Sequence, residues 1–263
     1  MCTLVILRRP NHPWPILVAA NRDEMLGRAW EAPARHWPDR PATTGGLDRE
    51  AGGSWLGLND HGVICGVLNR NGALGPEKRK RTRGELVLEA LEHADANVAV
   101  EALARIDGRS YRPFNLLIAD NRDAFWIAHR DDQRVKPVEV RAVPSGISML
   151  TAHDLNDETS PRIRNFLPRF CKSAEPNPNT DDWSSWKELL ASHSHESKDG
   201  PTESMNIVTD FGFGTSSSSL IALPAAAEKD KSPIWNFTSC HPDSEDYWPI
   251  PLKPGTTDRK TAV

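Results

Sequence analysis

The sequence predicts an α+β fold in which two antiparallel sheets pack together and helices cover the outside. Three observations lead there. Short apolar runs come in pairs joined by turn-forming residues, the signature of hairpins. The elements follow in the order strands, two helices, strands, two helices, strands. No strand–helix–strand unit repeats, which argues against a parallel sheet. No internal repeat or linker-like composition divides the 263 residues, so residues 1–263 read as a single domain.

The elements follow in order. Residues 3–7 and 15–20 are apolar runs flanking Asn11-His12-Pro13, and read as a hairpin starting at the N-terminus. Residues 31–53, rich in Pro, Gly and charge, read as a long loop. A second strand pair, 54–58 and 63–68, turns at Asn59-Asp60-His61-Gly62. The basic run Lys78-Arg79-Lys80-Arg81 precedes Thr82-Arg83-Gly84-Glu85, a capping-box pattern opening a helix to about residue 93. Leu86, Val87, Ala90 and Leu91 share one face of that helix. A second helix is expected over 97–106. Residues 114–119 and 124–128 form a hairpin around Asp120-Asn121. Strands near 135–140 and 147–152, helices near 160–170 and 181–192, and strands at 205–209, 217–223 and 234–238 complete the pattern. Residues from about 252 to 263 read as a loose tail.

Composition removes several function classes. Lys+Arg number 32 against 36 Asp+Glu, a net charge of −4, which gives no general affinity for nucleic acid or acidic membrane surfaces. Mean hydropathy is −0.54, and no run approaches the ~18 apolar residues of a membrane span. The first twenty residues carry Arg8, Arg9 and three prolines, unlike a secretory signal. Cys2, Cys65, Cys171 and Cys240 are widely spaced with no CxxC, which suits free thiols in a reducing compartment; a cytoplasmic location is the expectation. Nine tryptophans against two tyrosines are expected in the core and in cleft walls.

Common site motifs are missing: no Walker A loop, HExxH or GxSxG occurs. Gly212-Phe213-Gly214 lacks the third glycine of a dinucleotide-binding turn. His193, His195 and Cys240-His241 match no zinc spacing, and read as solvent-exposed. The Lys78–Arg83 stretch reads as a solvated loop, with docking of a substrate carboxylate or phosphate as the sharper alternative. Asn121-Arg122-Asp123 sits in a turn and suits turn geometry.

Cys2 is different. Cysteine is small enough for Met1 to be trimmed, which leaves a thiol and an α-amine on one residue. These groups titrate near ~8.5 and ~7.7, so amine and thiol can serve as base and nucleophile. Asn21-Arg22-Asp23-Glu24 follows the apolar run 16–20. If the first two strands pair, this polar group lies beside Cys2. Asn69, at the end of another apolar strand, is placed to donate a side-chain N–H to an oxyanion.

Met-Cys-Thr-Leu-Val at the start, Ala-Ala-Asn-Arg-Asp-Glu at 19–24 and Gly-Gly-Ser-Trp-Leu-Gly at 52–57 resemble the NRDE family, also called the Transport and Golgi organisation 2 family. Phe213-Gly214-Thr215-Ser216-Ser217-Ser218 echoes that family's C-terminal motif. The family is related to N-terminal nucleophile hydrolases of the choloylglycine hydrolase and penicillin V acylase type. The resemblance implies a four-layer αββα sandwich and amide hydrolysis or acyl transfer through a terminal cysteine. Cys2 then matches the nucleophile, Asn21 and Asp23 match the hydrolases' Arg-Asn-x-Asp segment, and Asn69 matches an oxyanion donor. In that register the hydrolases' arginine falls on Ala20, and Arg22 takes an apolar position. Leu150-Thr151-Ala152 stands where a second active-site asparagine is expected, and Ser216 stands where the family has arginine.

The expected function is therefore an N-terminal cysteine hydrolase acting on a linear amide or related acyl bond of a small molecule. Cys2 is the nucleophile, Asp23 holds the amine, Asn69 donates to the oxyanion, and Arg22 or Asn21 orients the site. The alternative is a non-catalytic carrier of the same fold for haem or a lipid, as the resemblance suggests. No metal or prosthetic group is required by the sequence, and neither nucleic acid nor stable membrane insertion is expected.

Overall fold

A computed structural model describes residues 2–73, 75–130, 138–239 and 246–252. Its framework is two antiparallel sheets. In the first, β1 (Thr3–Arg8) pairs with β2 (Ile16–Met25), with Thr3 opposite Asn21 and Arg8 opposite Ile16. β10 (Gly146–Leu150) flanks β1, and β11 (Phe213–Leu223), β12 (Ile234–Thr238) and β13 (Trp248–Pro249) continue beyond β2. The second sheet runs in chain order: β3 (Trp30–Ala34), β4 (Thr43–Asp48), β5 (Leu56–Asn59), β6 (Ile64–Asn69), β7 (Phe114–Ala119), β8 (Ala124–His129) and β9 (Glu139–Ala142).

Strand alternation distributes the apolar side chains among three cores. Leu4 and Ile6 of β1, Val18 of β2, Leu68 of β6 and Leu117 of β7 meet between the sheets. Val5, Leu7, Leu17 and Ala19 face the other way, against α3 (Pro161–Lys172) and α4 (Ser184–Leu190) through Ile163, Phe166, Phe170 and Trp186. Cys65, Leu116 and Ile118 pack against α1 (Gly84–Ala90) and α2 (Ala96–Leu103). The layers are thus helix, sheet, sheet, helix, as expected. Both sheets are covered on both faces, which is why their strands read as continuous apolar runs.

Several boundaries depart from expectation. The stretch 31–53 contains β3 and β4 rather than one long loop. Residues 205–209 form no strand; only an isolated bridge joins Val208 to Gly214. The capping box does not form. Arg83 occupies the N-cap without a side-chain cap bond, Thr82 Oγ1 accepts from the Gly84 N–H at 3.3 Å, and Glu85 pairs with Arg81 at 2.6 Å. Ser160 does cap α3, accepting from the Ile163 N–H, with Pro161 following. The first half of the strand expected at 135–140 and nearly all of the tail expected from 252 lie outside the described residues; the second half of that strand leads into β9. Among those described, no helix is long and apolar enough to cross a membrane.

Candidate active site

A cleft of about 480 Å³ opens where the start of β1, the end of β2 and the end of β6 converge. Cys2, Arg22 and Asn69 all line it. Antiparallel pairing of β1 with β2 returns the polar end of β2 to Cys2, and the Cys2 Sγ lies 3.5 Å from the Asp23 carbonyl oxygen. Asn69 reaches the same space from the opposing sheet. Its half-buried amide has no side-chain hydrogen bond among the described residues, so its N–H groups remain available.

Alternation along β2 splits Asn21-Arg22-Asp23-Glu24 into two pairs. Arg22 and Glu24 line the cleft, while the side chains of Asn21 and Asp23 point toward the α3–α4 layer. Asn21 donates to the Leu190 and Met205 carbonyls at 3.0 and 2.9 Å and accepts from Ser218 Oγ, lacing β2 to the helical layer. Asp23 accepts from Arg162 Nη1 at 2.9 Å and from Thr215 Oγ1 at 2.7 Å, in complete burial. Arg162 also donates to Thr3 Oγ1 and to the Thr202 carbonyl, both at 2.6 Å. It therefore ties α3 to the strand that carries the thiol. Sequence reasoning missed Arg162. The signal was its position on the stripe 162, 166, 170, the buried face of α3.

Arg22 is held by a different set of contacts. Its guanidinium carbon lies 4.5 Å from the Trp55 ring centroid and 5.8 Å from that of Trp30, a cation–π contact with two rings that meet edge-on. Nη1 donates to Ser216 Oγ at 3.0 Å, and Ser216 Oγ donates to the Arg22 carbonyl at 3.1 Å. Ser216 is the extra residue of a β-bulge: Thr215 pairs with Asp23 and Ser217 with Arg22. Ala20, on the same face of β2, borders a small cavity of about 20 Å³ beside Cys2. Arg22 thus brings a guanidinium to the cleft one pleat beyond Ala20.

The Gly-Gly-Ser-Trp-Leu-Gly stretch gains a physical meaning. A Cβ on Gly53 would lie 2.5 Å from the Gly84 carbonyl carbon, so two bare backbones cross where the loop presents Ser54 and Trp55 to the cleft.

The surroundings of Cys2 favour its neutral thiol. Burial pushes the Cys2 thiol above its ordinary range, the Asp23 carboxylate pushes the same way, and Arg22 opposes them. Burial also lowers Arg22. Cys65 is buried in the core behind the second sheet, where burial strongly raises its thiol. His193 and His195 are exposed, and among the described residues no group of three His, Cys, Asp or Glu could hold a metal ion.

Comparison with known proteins agrees with this geometry. The family model described as Transport and Golgi organisation 2 matches residues 1–229. The chain belongs to that family. A Transport and Golgi organization protein 2 homolog from Bos taurus is 34% identical over 115 residues, or 42% of this chain and 40% of that protein. The alignment therefore spans less than half the length of that family member. Solved structures share the fold at low identity. A Caenorhabditis elegans N-acylethanolamine-hydrolyzing acid amidase ortholog superposes with a TM-score of 0.56 and 15% identity, covering 86% of this chain and 96% of its own. A variant of conjugated bile acid hydrolase from Clostridium perfringens gives 0.54 and 14%, covering 95% and 92%. The fold of this Transport and Golgi organisation 2 family member is that of the N-terminal nucleophile hydrolases.

Proposed function

We propose that this protein is an N-terminal cysteine hydrolase of linear amides or related acyl bonds, active once Met1 is removed. The observation that carries the proposal is the convergence of Cys2, Arg22 and Asn69 on one cleft between the sheets. The solved structures of similar fold include an acid amidase and a bile acid hydrolase, which supports amide chemistry in this scaffold.

In the proposed cycle the Cys2 α-amine takes the thiol proton as Sγ attacks the substrate carbonyl. The C=O electron pair moves to oxygen, and the Asn69 side-chain N–H stabilises that oxyanion. As the carbonyl re-forms, the C–N bond breaks and the α-ammonium returns its proton to the leaving nitrogen. A thioester on Cys2 remains. Water attacks it with the amine again as base, which frees the acid and restores the thiol. A thiol that burial keeps neutral needs such a base. Asp23 and Asn21 hold the end of β2 from behind, and Arg22 provides positive charge at the cleft wall.

Replacing Cys2 with Ala tests the reading. The variant is expected to keep the wild-type melting curve and circular dichroism while losing all acyl-enzyme formation and turnover. Undiminished turnover by the variant would sink the mechanism. Ligand binding without turnover by the wild type would instead point to a carrier of the same fold.

A further inference from the structure

The second wall of the cleft carries a cation that acyl transfer does not use. Arg83 lines the cleft together with Arg112. Its Nη1 donates to the carbonyls of Ala73 at 2.7 Å and Pro113 at 3.1 Å. Those two bonds fix the guanidinium plane, and among the described residues the Nε–Nη2 edge has no hydrogen-bond partner. That edge can grip a carboxylate through two parallel N–H bonds.

The neighbouring arginines have acids of their own. Arg28 meets Asp48 at 2.8 Å, Arg81 meets Glu85 at 2.6 Å, Arg112 meets Glu77 at 3.5 Å, and Arg22 meets Glu24 at 3.9 Å. Among the described residues, no carboxylate lies within ion-pair distance of Arg83. Burial, and next the charge of Arg112, push Arg83 down to about 10. A fixed guanidinium, partly desolvated beside a second cation, is complementary to an anion arriving from outside. Arg83 also lies within electrostatic reach of the Cys2 sulfur, so that anion and the scissile bond fit on one small molecule. At the lip contributed by the first sheet, Met25 and Phe213 line the cleft. Beside them Leu26 and Phe211 are exposed, and Phe211 stacks on Phe213 at 6.5 Å between ring centroids. The cleft thus combines the cations Arg83 and Arg112 with apolar surface at Met25 and Phe213.

We infer that Arg83 is the carboxylate-binding, specificity-determining residue of this cleft, and that the substrates are amphipathic N-acyl amino acids. The reaction in this inference rests on the hydrolase reading; the binding does not.

Two probes separate the claims: N-dodecanoylglycine and its neutral counterpart N-dodecanoylglycinamide. Calorimetric titration of the Cys2→Ala protein is expected to show at least about tenfold tighter binding of the acid than of the amide, the size of one good charge-assisted contact. Adding Arg83→Gln should bring that ratio close to one, and Arg83→Lys should restore part of it. Arg83→Glu should instead favour the cationic N-(2-aminoethyl)dodecanamide, a gain that misfolding cannot produce. Equal binding of acid and amide, no binding of either, or a preference unchanged in Arg83→Gln overturns the inference. Displacement of N-dodecanoylglycine by inorganic phosphate at a lower concentration than its own overturns the carboxylate assignment. Acid preference without turnover by the wild type keeps the subsite and removes the hydrolase. Equal turnover of acid and amide keeps the hydrolase and removes the subsite.

Discussion

Replacing Arg162 with Met probes the contact that fixes the site from behind. The Arg162–Asp23 pair closes at 2.9 Å with side-chain exposures of 1% and 0%, so Met takes the paired cation from a buried carboxylate that keeps its Thr215 hydrogen bond. Breaking one partner of such a pair costs about 3–5 kcal/mol, a large part of the roughly 5–15 kcal/mol that holds a domain folded. At about 2.1 cal/mol/K per residue, the unfolding entropy of 263 residues is roughly 0.55 kcal/mol/K, so the melting temperature should fall by roughly 5–9 °C. Differential scanning calorimetry on wild type, Arg162→Met, Asp23→Leu and the double variant reads the effect. The double variant, with an apolar pair in place of two charges, should recover more than 1 kcal/mol relative to the sum of the single losses. A loss below 1 kcal/mol in Arg162→Met, or strict additivity in the cycle, would refute the assignment of this pair as the anchor of β2.

Three further outcomes follow from the same geometry. The raised Cys2 thiol predicts that alkylation of Cys2 in protein retaining Met1 is slow at neutral pH. It should climb only above the ordinary thiol range, and Arg22→Gln should move the profile to still higher pH because a cation favouring the thiolate is gone; a midpoint at or below ordinary thiols contradicts this. Because the folded state disfavours the thiolate, that group's contribution to stability is full below the unfolded thiol pKa and is lost as pH rises through the folded value. Asn69→Ala should lower kcat by about 10²–10³ with little change in melting temperature, and a kcat within twofold of wild type removes Asn69 as oxyanion donor. Gly53→Ala places a methyl 2.5 Å from the Gly84 backbone; chemical denaturation should register a loss of about 1–3 kcal/mol, and an unchanged midpoint would show that the two loops separate freely.

Much of this architecture was legible in the sequence because hairpins declare themselves locally. The β7–β8 and β1–β2 pairs followed from apolar runs around turn residues, and the pairing of β1 with β2 placed Asn21-Arg22-Asp23-Glu24 beside Cys2 as expected. β3 and β4 were hidden by their composition. Pro33 is tolerated because β3 is a sheet edge, and Gly46 of β4 is needed because the Trp55 ring lies against it, 2.3 Å from where its Cβ would be. The direction of each side chain in Asn21-Arg22-Asp23-Glu24 was not legible. It depends on which face of β2 meets the opposing sheet, and β2 is apolar on both faces, so alternation gives no sign. Arg83 was visible only as part of a basic run; its distinction lies in the acids that its neighbours have and it lacks.

The central claim is that Cys2, freed of Met1, carries the acyl group. The most direct test is acid-quenched mass spectrometry of the wild-type protein during turnover of N-dodecanoylglycine, with the N-terminal peptide mapped. The account predicts a peptide that starts at Cys2 and carries a dodecanoyl thioester, absent from Cys65 and Cys171. An active protein that retains Met1, or an acyl group found elsewhere than on Cys2, would contradict it.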